Sequence, residues 1–463
     1  MPTSKSTNHG MLRRRITTFF SLAFVVVVID VALCLALEPF GAHSELVWTE
    51  YRATRDVDTI LTGASYTAYG LNPRMFDTTL GAHTFNMATP GQSLQDTLTT
   101  IRSVSEEHKL DRVVLNLGYY SVSSYPRINS SIMFTQSKCL GESPIQVLSD
   151  VGSLVFNEHY FGKILSLSCA FPWCYDHVDH TPKAIRDNIN NRLKGDVFAA
   201  GAQYSKVAGE SWVYEGQGYG GIHHTRSEQS VPGQVLIDNL EMPFYEPNIR
   251  SFTQICKLCK DKGIPLYVVA SPHSPSVIAE YGDRYWADMP RLEAIAKEAG
   301  ATYMDFNLLH RDVLDLDPTS YTDYTHTNVE GSEKLSATLA QLIGRVESGE
   351  DVSGLFYGYD SQGRSAYWDS IYFVDSVDYT SKPADGGVLV SASAVTGTNT
   401  PVAYRYEVLN KTSGKYEVLR DYSADPNCLI PTTNSEPVTF RLYVRPTNGR
   451  QDTPRWLEGT VRS

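Results

Sequence analysis

The feature that most limits the fold is a regular alternation of short apolar runs with helical patterns between residues 45 and 348. The apolar runs have the length and side-chain types of β-strands and cover residues 58–62, 84–87, 113–117, 265–270 and 302–306. Between them, apolar residues recur at helical spacing in 94–104, 247–262 and 291–298. Strands that alternate with single helices form a parallel sheet covered by helices on both faces. We therefore predict an α/β fold whose reactive groups lie beyond the carboxyl ends of the strands.

Two long segments depart from this alternation. Between residues 120 and 245 proline and glycine interrupt the pattern, which indicates an insertion beside the active edge of the sheet. Its glycine-rich piece, residues 216–221, does not match a phosphate-binding loop, so we predict a mobile loop or lid. From 354 to 463, short alternating runs separated by turn signals predict a β-sandwich of immunoglobulin type. Glycan binding, partner binding and a purely structural role are all open for that domain.

The N-terminal segment is predicted to be a membrane anchor. An arginine triplet at residues 13–15 precedes the apolar stretch 16–37, in which Asp30 is the only charged residue. As a helix this stretch would span roughly 33 Å, which is enough to cross a hydrocarbon core of about 30 Å. The basic triplet places residues 1–15 in the cytoplasm and the body of the protein outside it. A cleaved signal peptide is the alternative, although the apolar stretch is long for one.

The charge argues against a nucleic-acid partner, and the group of potential metal ligands does not indicate a metal site. The formal net charge of -12 at pH 7 argues against nucleic acid, because binding phosphates requires a basic face. Asp176, His177, Asp179 and His180 lie close together in the insertion, where a solvated loop is the preferred interpretation over a metal site. We therefore predict neither a metal nor an organic cofactor.

The cysteines allow two structural interpretations. Cys169 and Cys174 could close a small disulfide loop within the insertion. Cys256 and Cys259 have the C-x-x-C spacing of some redox proteins, but they fall on the apolar face of a predicted helix. A cysteine on such a face usually behaves as a small buried apolar residue, so packing is preferred over redox chemistry.

Polar residues that could take part in catalysis occur at three points of this pattern. Ser65 comes after the strand 58–62 and a glycine turn, Gly91 follows the second strand, and Asp323 and His326 precede a helix. A serine hydroxyl is a weak nucleophile and needs a neighbouring imidazole to accept its proton. The imidazole needs an acceptor on its other nitrogen, a role that Asp323 could fill. The backbone N–H groups of Ser65 and Gly91 are candidates for stabilising an oxyanion.

This order of motifs resembles the SGNH, or GDSL-like, hydrolase superfamily over residues 55–345. Thr-Gly-Ala-Ser65 looks like the first sequence block of that family, and Asp323-Tyr-Thr-His326 looks like the last. By this resemblance Ser65 is the nucleophile, His326 is the base and Asp323 is its partner. Gly91 matches the second block and would form the oxyanion hole together with Ser65. The resemblance also implies a three-layer α/β fold.

The resemblance is incomplete at two places. Ala64 stands where many members carry Asp. Where the third block usually has Gly-x-Asn, this chain has Gly118-Tyr119-Tyr120, so the side-chain amide donor to the oxyanion is missing. Loss of one such donor can cost about 3 kcal/mol in the transition state, so another group replaces it, the enzyme is slow, or the chain is a degenerate relative. His273 follows a strand, and His273 and Tyr120 are our candidate substrate contacts.

Among members of the superfamily, this chain looks closer to membrane-anchored proteins than to secreted lipases. The D-alanine-transfer protein of lipoteichoic acid modification and the alginate acetylation proteins are of this type. The resemblance and the exported topology predict an esterase or O-acyltransferase that acts on a cell-surface glycan through an acyl-Ser65 intermediate. A transferase would draw on a membrane-bound acyl-donor protein, by analogy. A small-ester hydrolase and a non-catalytic protein that binds a glycan or a partner are the alternatives.

Overall fold

The computed structural model describes residues 6–37, 40–140, 142–155, 181–207, 211–233, 242–432 and 436–462. The α-helices in these residues are α1 (Ser6–Leu37), α2 (His43–Ala53), α3 (Ser65–Ala68), α4 (Pro73–Leu80), α5 (Leu94–Glu107), α6 (Tyr119–Ser123), α7 (Ile128–Cys139), α8 (Pro144–Val155), α9 (Pro182–Lys194), α10 (Val197–Val207), α11 (Glu246–Lys262), α12 (Pro275–Tyr281), α13 (Asp283–Glu298), α14 (Val329–Glu347) and α15 (Ser361–Ser370).

The β-strands are β1 (Thr59–Thr62), β2 (Thr84–Asn86), β3 (Arg112–Asn116), β4 (Trp212–Gly216), β5 (Tyr219–Ile222), β6 (Leu266–Ala270), β7 (Thr302–Asp305), β8 (Val374–Ala384), β9 (Gly387–Thr396), β10 (Val402–Asn410), β11 (Lys415–Ser423), β12 (Asn427–Pro431), β13 (Val438–Pro446) and β14 (Arg455–Val461). The chain divides into two compact units. The first contains residues 1–49 and 128–214, and the second contains residues 50–127 and 215–463.

The first unit consists mainly of helices and contains the candidate anchor. Within α1, the segment Arg13–Leu37 is long and apolar enough to cross a membrane. The helix begins at Ser6, before the predicted start of the span at residue 16. The predicted N-terminal apolar helix is therefore present, and its length and composition also suit a signal sequence.

The second unit contains a five-stranded parallel sheet in the order β2-β1-β3-β6-β7. In this sheet Thr59 lies opposite Thr84 on one side and Arg112 on the other. Every residue of β1, β2 and β6 is buried, as expected for strands that are covered on both faces. The predicted α/β architecture is confirmed, and the carboxyl ends of all five strands lie along one edge.

Two pairs of helices cover the sheet. Phe76 of α4 and Leu335 of α14 join Leu61 of β1 in one apolar core. Helices α5 and α11 pack against each other and form the opposite layer. Cys256 and Cys259 are buried on α11 and are not disulfide-bonded. Burial raises the pKa of both thiols to about 12, so the packing interpretation of this pair is confirmed.

The glycine-rich piece forms a β-hairpin and not the predicted mobile loop. Strands β4 and β5 make a two-stranded sheet. At the turn Gln217 and Gly218 have φ angles of 52° and 78°, which tight hairpin turns require. The backbone N–H of Asn86 donates to the carbonyl oxygen of Gln217 across 2.8 Å. A Cβ at Gly218 would lie 1.8 Å from the Asn86 carbonyl oxygen, so the close approach to β2 requires glycine.

The C-terminal part of the second unit is a sandwich of two antiparallel sheets. Their strand orders are β11-β10-β13-β14 and β12-β9-β8. Val390 and Ile430 from the smaller sheet meet Phe440 and Leu442 from the larger one in a single core. The alternating runs at 404–409, 415–420, 438–444 and 455–461 predict β10, β11, β13 and β14, and no prediction covered β8, β9 or β12. Helix α15 precedes the sandwich, so its strands begin at Val374 and not near residue 354.

Candidate active site

Ser65 lies just beyond β1 on a turn that requires glycine. Gly63 has a φ of 150°. A Cβ at this position would lie 2.4 Å from Thr67 Oγ1 and 3.1 Å from the carbonyl oxygen of Asn116. The chain then turns into the short helix α3, of which Ser65 is the first residue. This turn leaves the serine partly exposed at the carboxyl edge of the sheet.

Ser65, His326 and Asp323 form one continuous chain of hydrogen bonds. The Ser65 hydroxyl donates to Nε2 of His326 across 2.9 Å. Nδ1 of His326 donates to Oδ2 of Asp323 across 2.8 Å. These partners assign the tautomer that is protonated on Nδ1, which leaves Nε2 free to accept a proton. The structure therefore brings together the three residues that the sequence predicted to act together.

Asp323 organises the turn that carries His326. Its Oδ1 accepts the backbone N–H groups of Thr325 and His326 at 2.6 and 2.7 Å. Burial alone would raise the pKa of the Asp323 carboxyl, but His326 and these N–H groups hold the pKa well below its usual value. The carboxylate therefore stays ionised and can stabilise the imidazolium that forms when His326 takes the serine proton. After the turn, Asn328 caps α14 by accepting the Gly331 N–H at 3.0 Å.

A cleft of about 320 Å³ opens over Ser65. Gly91, Tyr120 and His326 line it together with the serine, so these predicted residues surround one cavity. Nη2 of Arg127 donates to the Tyr120 hydroxyl across 3.3 Å at the same cleft. The oxyanion role of Gly91 and the substrate contact of Tyr120 stay predictions that this arrangement allows.

His273 is buried against the catalytic turn, which we define as residues 321–326, the segment that carries Asp323 and His326. It is not among the described residues that line the cleft. Its Nδ1 donates to the Thr325 carbonyl oxygen across 3.0 Å. The Tyr66 ring lies between the two histidines, with centroids 4.8 Å from both His273 and His326. Burial lowers the pKa of His273 to about 4, so its ring is neutral at pH 7. These contacts indicate that His273 supports the turn, in place of the predicted contact with substrate.

A buried polar network holds His273, and the sequence analysis did not identify it. Oδ1 of Asn307 accepts the His273 backbone N–H at 2.8 Å, and Nδ2 of Asn307 donates to the Ser271 carbonyl oxygen at 3.1 Å. Asp305 accepts from the Tyr359 hydroxyl at 2.8 Å and from the Asn307 amide at 2.9 Å. Burial raises the pKa of Asp305. Asp305 ends β7, and Asn307 follows it by two residues. Their position at the end of a strand is the sequence feature that could have indicated a role near the site.

Asn116 is an amide at the cleft that the sequence analysis overlooked. It ends β3 and lines the cleft. Its Nδ2 donates to Ser271 Oγ across 2.6 Å, and its Oδ1 accepts the Ser271 N–H at 3.2 Å. An amide nitrogen carries two N–H bonds, so a second donor is available beside this contact. Asn116 precedes Gly118, whereas the Gly-x-Asn comparison considered only the residues that follow the glycine.

Two candidate groups from the sequence are not described by the structure. Cys169, Cys174 and the group at 176–180 lie outside the described residues. Within the residues that the structure does describe, no cluster of three His, Cys, Asp or Glu side chains could hold a metal ion. His224 contacts the hydroxyl of Thr322 in the catalytic turn, so it lies beside the site.

Comparisons with known proteins give only distant similarities. No protein-family model and no curated protein sequence matches the chain. A candidate acylhydrolase from Bacteroides fragilis is 12% identical with a TM-score of 0.30, and the alignment covers 63% of this chain and 89% of that one. A GDSL-like lipase from Bacteroides thetaiotaomicron is 11% identical with a TM-score of 0.29, covering 65% and 98%. A two-domain esterase active on acetylated mannans is 9% identical with a TM-score of 0.24, covering 93% and 99%. These values are too low to transfer an activity, so the function has to be inferred from the geometry of the site.

Proposed function

We propose that the chain is a serine esterase or O-acyltransferase of the SGNH type, which acts on acyl esters of a cell-surface glycan. The observation that supports this proposal most directly is the hydrogen-bond chain from Ser65 through His326 to Asp323. A serine that acts as a nucleophile needs a base to accept its proton, and His326 Nε2 lies 2.9 Å from the Ser65 hydroxyl oxygen. The cleft above Ser65 supplies room for an ester substrate.

In the proposed first step, Ser65 Oγ attacks the acyl carbonyl carbon while His326 Nε2 takes the hydroxyl proton. The new C–O bond gives a tetrahedral oxyanion, and the ionised Asp323 balances the charge on the imidazolium. When the oxyanion collapses, the bond to the glycan oxygen breaks and His326 returns the proton to that leaving oxygen. The product is an acyl-Ser65 ester and a free glycan hydroxyl.

The second step repeats this chemistry with a new nucleophile. Water gives hydrolysis of an acylated glycan. In the transfer direction the group released in the first step belongs to the acyl donor instead, and a glycan hydroxyl attacks acyl-Ser65 in the second step. In both cases His326 takes the proton of the attacking group and returns it to Ser65 Oγ as the acyl–Ser65 bond breaks. The backbone N–H groups of Ser65 and Gly91 would stabilise the oxyanion, and the Asn116 amide is the side chain at the cleft that could replace the missing family donor. One such donor contributes about 3 kcal/mol to the transition state.

The cellular setting is part of the same proposal. The apolar segment Arg13–Leu37 and the three arginines at its start support a single-pass anchor with the catalytic body outside the cytoplasm. A glycan at the cell surface is the acyl-bearing polymer available on that side. A membrane-bound acyl-donor protein would be the partner if the reaction is transfer.

A fluorophosphonate probe tests the nucleophile directly. The full chain in detergent should become labelled at Ser65, and Ser65→Ala should not be labelled. His326→Gln should slow labelling by at least about 10²-fold, because general-base assistance of that size is lost. Ser65→Ala removes one hydroxyl from a folded protein, so an equal melting temperature would show that the loss is chemical.

Acyl release from acetylated polysaccharides and from p-nitrophenyl acetate separates the glycan enzyme from a small-ester hydrolase. Preference for the polysaccharide, lost in Ser65→Ala, supports the proposal. Release from the model ester alone would indicate a small-ester hydrolase. A wild-type protein that neither reacts with the probe nor releases acyl groups would support the non-catalytic binding protein.

A further inference from the structure

The catalytic turn is held on its outer side by Arg226, a residue that the proposed chemistry does not use. The Arg226 backbone N–H donates to the Tyr321 carbonyl oxygen across 2.7 Å. Its guanidinium lies 4.2 Å from the centroid of the Tyr324 ring, a distance at which a cation is attracted to an aromatic face. Tyr324 is the residue between Asp323 and Thr325 in the turn. Arg226 therefore contacts the turn on either side of Asp323.

Arg226 is fixed in turn by a carboxylate from the sandwich. Asp375 belongs to β8, and its side chain is fully buried. Arg226 Nη2 donates to Asp375 Oδ1 at 2.6 Å and to the Asp375 carbonyl oxygen at 3.1 Å. Burial alone would raise the pKa of Asp375, but the charge of Arg226 and hydrogen bonds from Ser276 hold the pKa below its usual value. The pair is therefore ionised inside the protein.

The other oxygen of Asp375 holds α12, which contacts the same turn. Oδ2 accepts the Ser276 backbone N–H at 2.9 Å and also the Ser276 hydroxyl. Ser276 lies in the first turn of α12, two residues after Ser274. The Ser274 backbone N–H donates to the Tyr324 carbonyl oxygen across 2.9 Å. The Asp375 carboxylate is therefore linked to Tyr324 by two routes. Arg226 connects it to the Tyr324 ring, and the N-terminal residues of α12 connect it to the Tyr324 backbone.

We propose that Asp375 and Arg226 are positioning residues that hold the turn carrying Asp323 and His326. The inference rests on the proposed function, because it assigns the sandwich a part in placing the general base. Through Asp375, the sandwich contacts Arg226 and α12, the two groups that contact Tyr324.

The energetics favour a positioning role over a general stabilising role. Burying two charges is costly, and a buried ion pair often adds little to stability compared with apolar residues of the same size. The pair instead fixes the position of the Tyr324 ring, because a planar guanidinium between a carboxylate and a ring has few alternative geometries. A displacement of about 1 Å at a catalytic group can cost about 10²-fold in rate.

Two variants test the proposal in the full chain, with the fluorophosphonate rate and p-nitrophenyl acetate kinetics as measurements. Tyr324→Leu removes the ring and leaves the ion pair intact, so it should fold and should lower kcat about 10²-fold with little change in KM. Tyr324→Phe keeps the ring and should rescue most of that loss. Asp375→Asn should lower kcat similarly for each folded molecule, as counted by near-ultraviolet circular dichroism.

Asp150→Asn is the matched control, because Asp150 is also a buried carboxylate that accepts from a buried cation, Lys138, at 2.5 Å. It should lower the melting temperature while kcat for each folded molecule stays at the wild-type value. If Asp375→Asn does not fold, the comparison of Tyr324→Leu with Tyr324→Phe decides alone. Wild-type kcat in Tyr324→Leu, with wild-type enzyme reacting normally with the probe, would overturn this inference and leave the proposed function intact. A wild-type protein that does not react would refute the proposed function itself.

Discussion

Replacing Gly63 by alanine should displace the nucleophile and destabilise the fold. Alanine at a φ of 150° occupies a region that costs about 1–3 kcal/mol. The new Cβ would also lie 2.4 Å from Thr67 Oγ1 and 3.1 Å from the Asn116 carbonyl oxygen. The Thr67 side chain can rotate away, but the carbonyl belongs to β3 and cannot, and such overpacking adds about 1–3 kcal/mol. We therefore expect Gly63→Ala to lower the free energy of unfolding by about 2–6 kcal/mol.

Gly81→Ala is the matched control, because Gly81 also has a positive φ, 63°, but nothing lies within 4 Å of a Cβ there. It should cost only about 1 kcal/mol, the price of the left-handed conformation. Urea denaturation of both variants measures the difference, and fluorophosphonate labelling below the transition measures the displacement of Ser65. We expect labelling of Gly63→Ala to fall about 10²-fold while Gly81→Ala labels normally. Equal stability losses and equal labelling rates would refute the argument that the turn has no room for a side chain.

Three further predictions concern single groups. Because burial lowers the pKa of His273 to about 4 from 6.5, the unfolded chain binds more protons at this residue between those values, and His273 alone should contribute about 3 kcal/mol to the loss of stability between pH 7 and pH 4. In His273→Gln, urea denaturation at both pH values should show a loss smaller by that amount, and an identical loss would contradict the assignment. Asn328→Ala should lower the free energy of unfolding by about 1 kcal/mol or more, because it removes both the acceptor for the Gly331 N–H and the amide donor to the Thr319 carbonyl oxygen. Asn328→Ser keeps an acceptor for the helix N-terminus and should recover part of that loss in the same assay. Cys256 and Cys259 should resist a thiol reagent at pH 8 until urea unfolds the chain, because burial raises the pKa of both to about 12; mass spectrometry of the native protein showing both modified would count against their burial.

The meeting of Ser65, His326 and Asp323 could be predicted from the sequence because their positions depend on local patterns. A parallel sheet gathers the ends of its strands along one edge, so a serine past β1 and a histidine before α14 could be expected to meet. The strands themselves were recognisable because they are buried on both faces and therefore continuously apolar. Four strands of the sandwich were found for a related reason, since alternate residues of β10 and β13 face its core.

The failures have a common physical origin in contacts between segments that are distant in the sequence. The hairpin β4–β5 was mistaken for a mobile loop because its glycines are needed for close approach to Asn86, which only the folded structure reveals. Asn116 was overlooked because the family pattern Gly-x-Asn predicts the amide after Gly118, and only the folded structure shows an amide before the glycine lining the cleft beside Ser271. His273 was expected in the cleft because a strand end indicates the active edge but does not say whether a side chain points into the cavity or behind it.

The contact between Arg226 and Asp375 could not be predicted from the sequence, although it bears on the geometry of the site. Neither residue lies in a motif, and 149 positions separate them. An isolated arginine and an isolated aspartate in a chain of this composition are most simply explained as surface charges. Burial changes that expectation, because a buried charge must find a partner. Here Arg226 lies in the loop after β5, and its partner Asp375 lies in strand β8 of the sandwich. If the pair holds the turn of Asp323 and His326, the catalytic domain depends on the sandwich for the geometry of its general base. A motif search would then find the nucleophile and miss the part of the chain that makes it reactive.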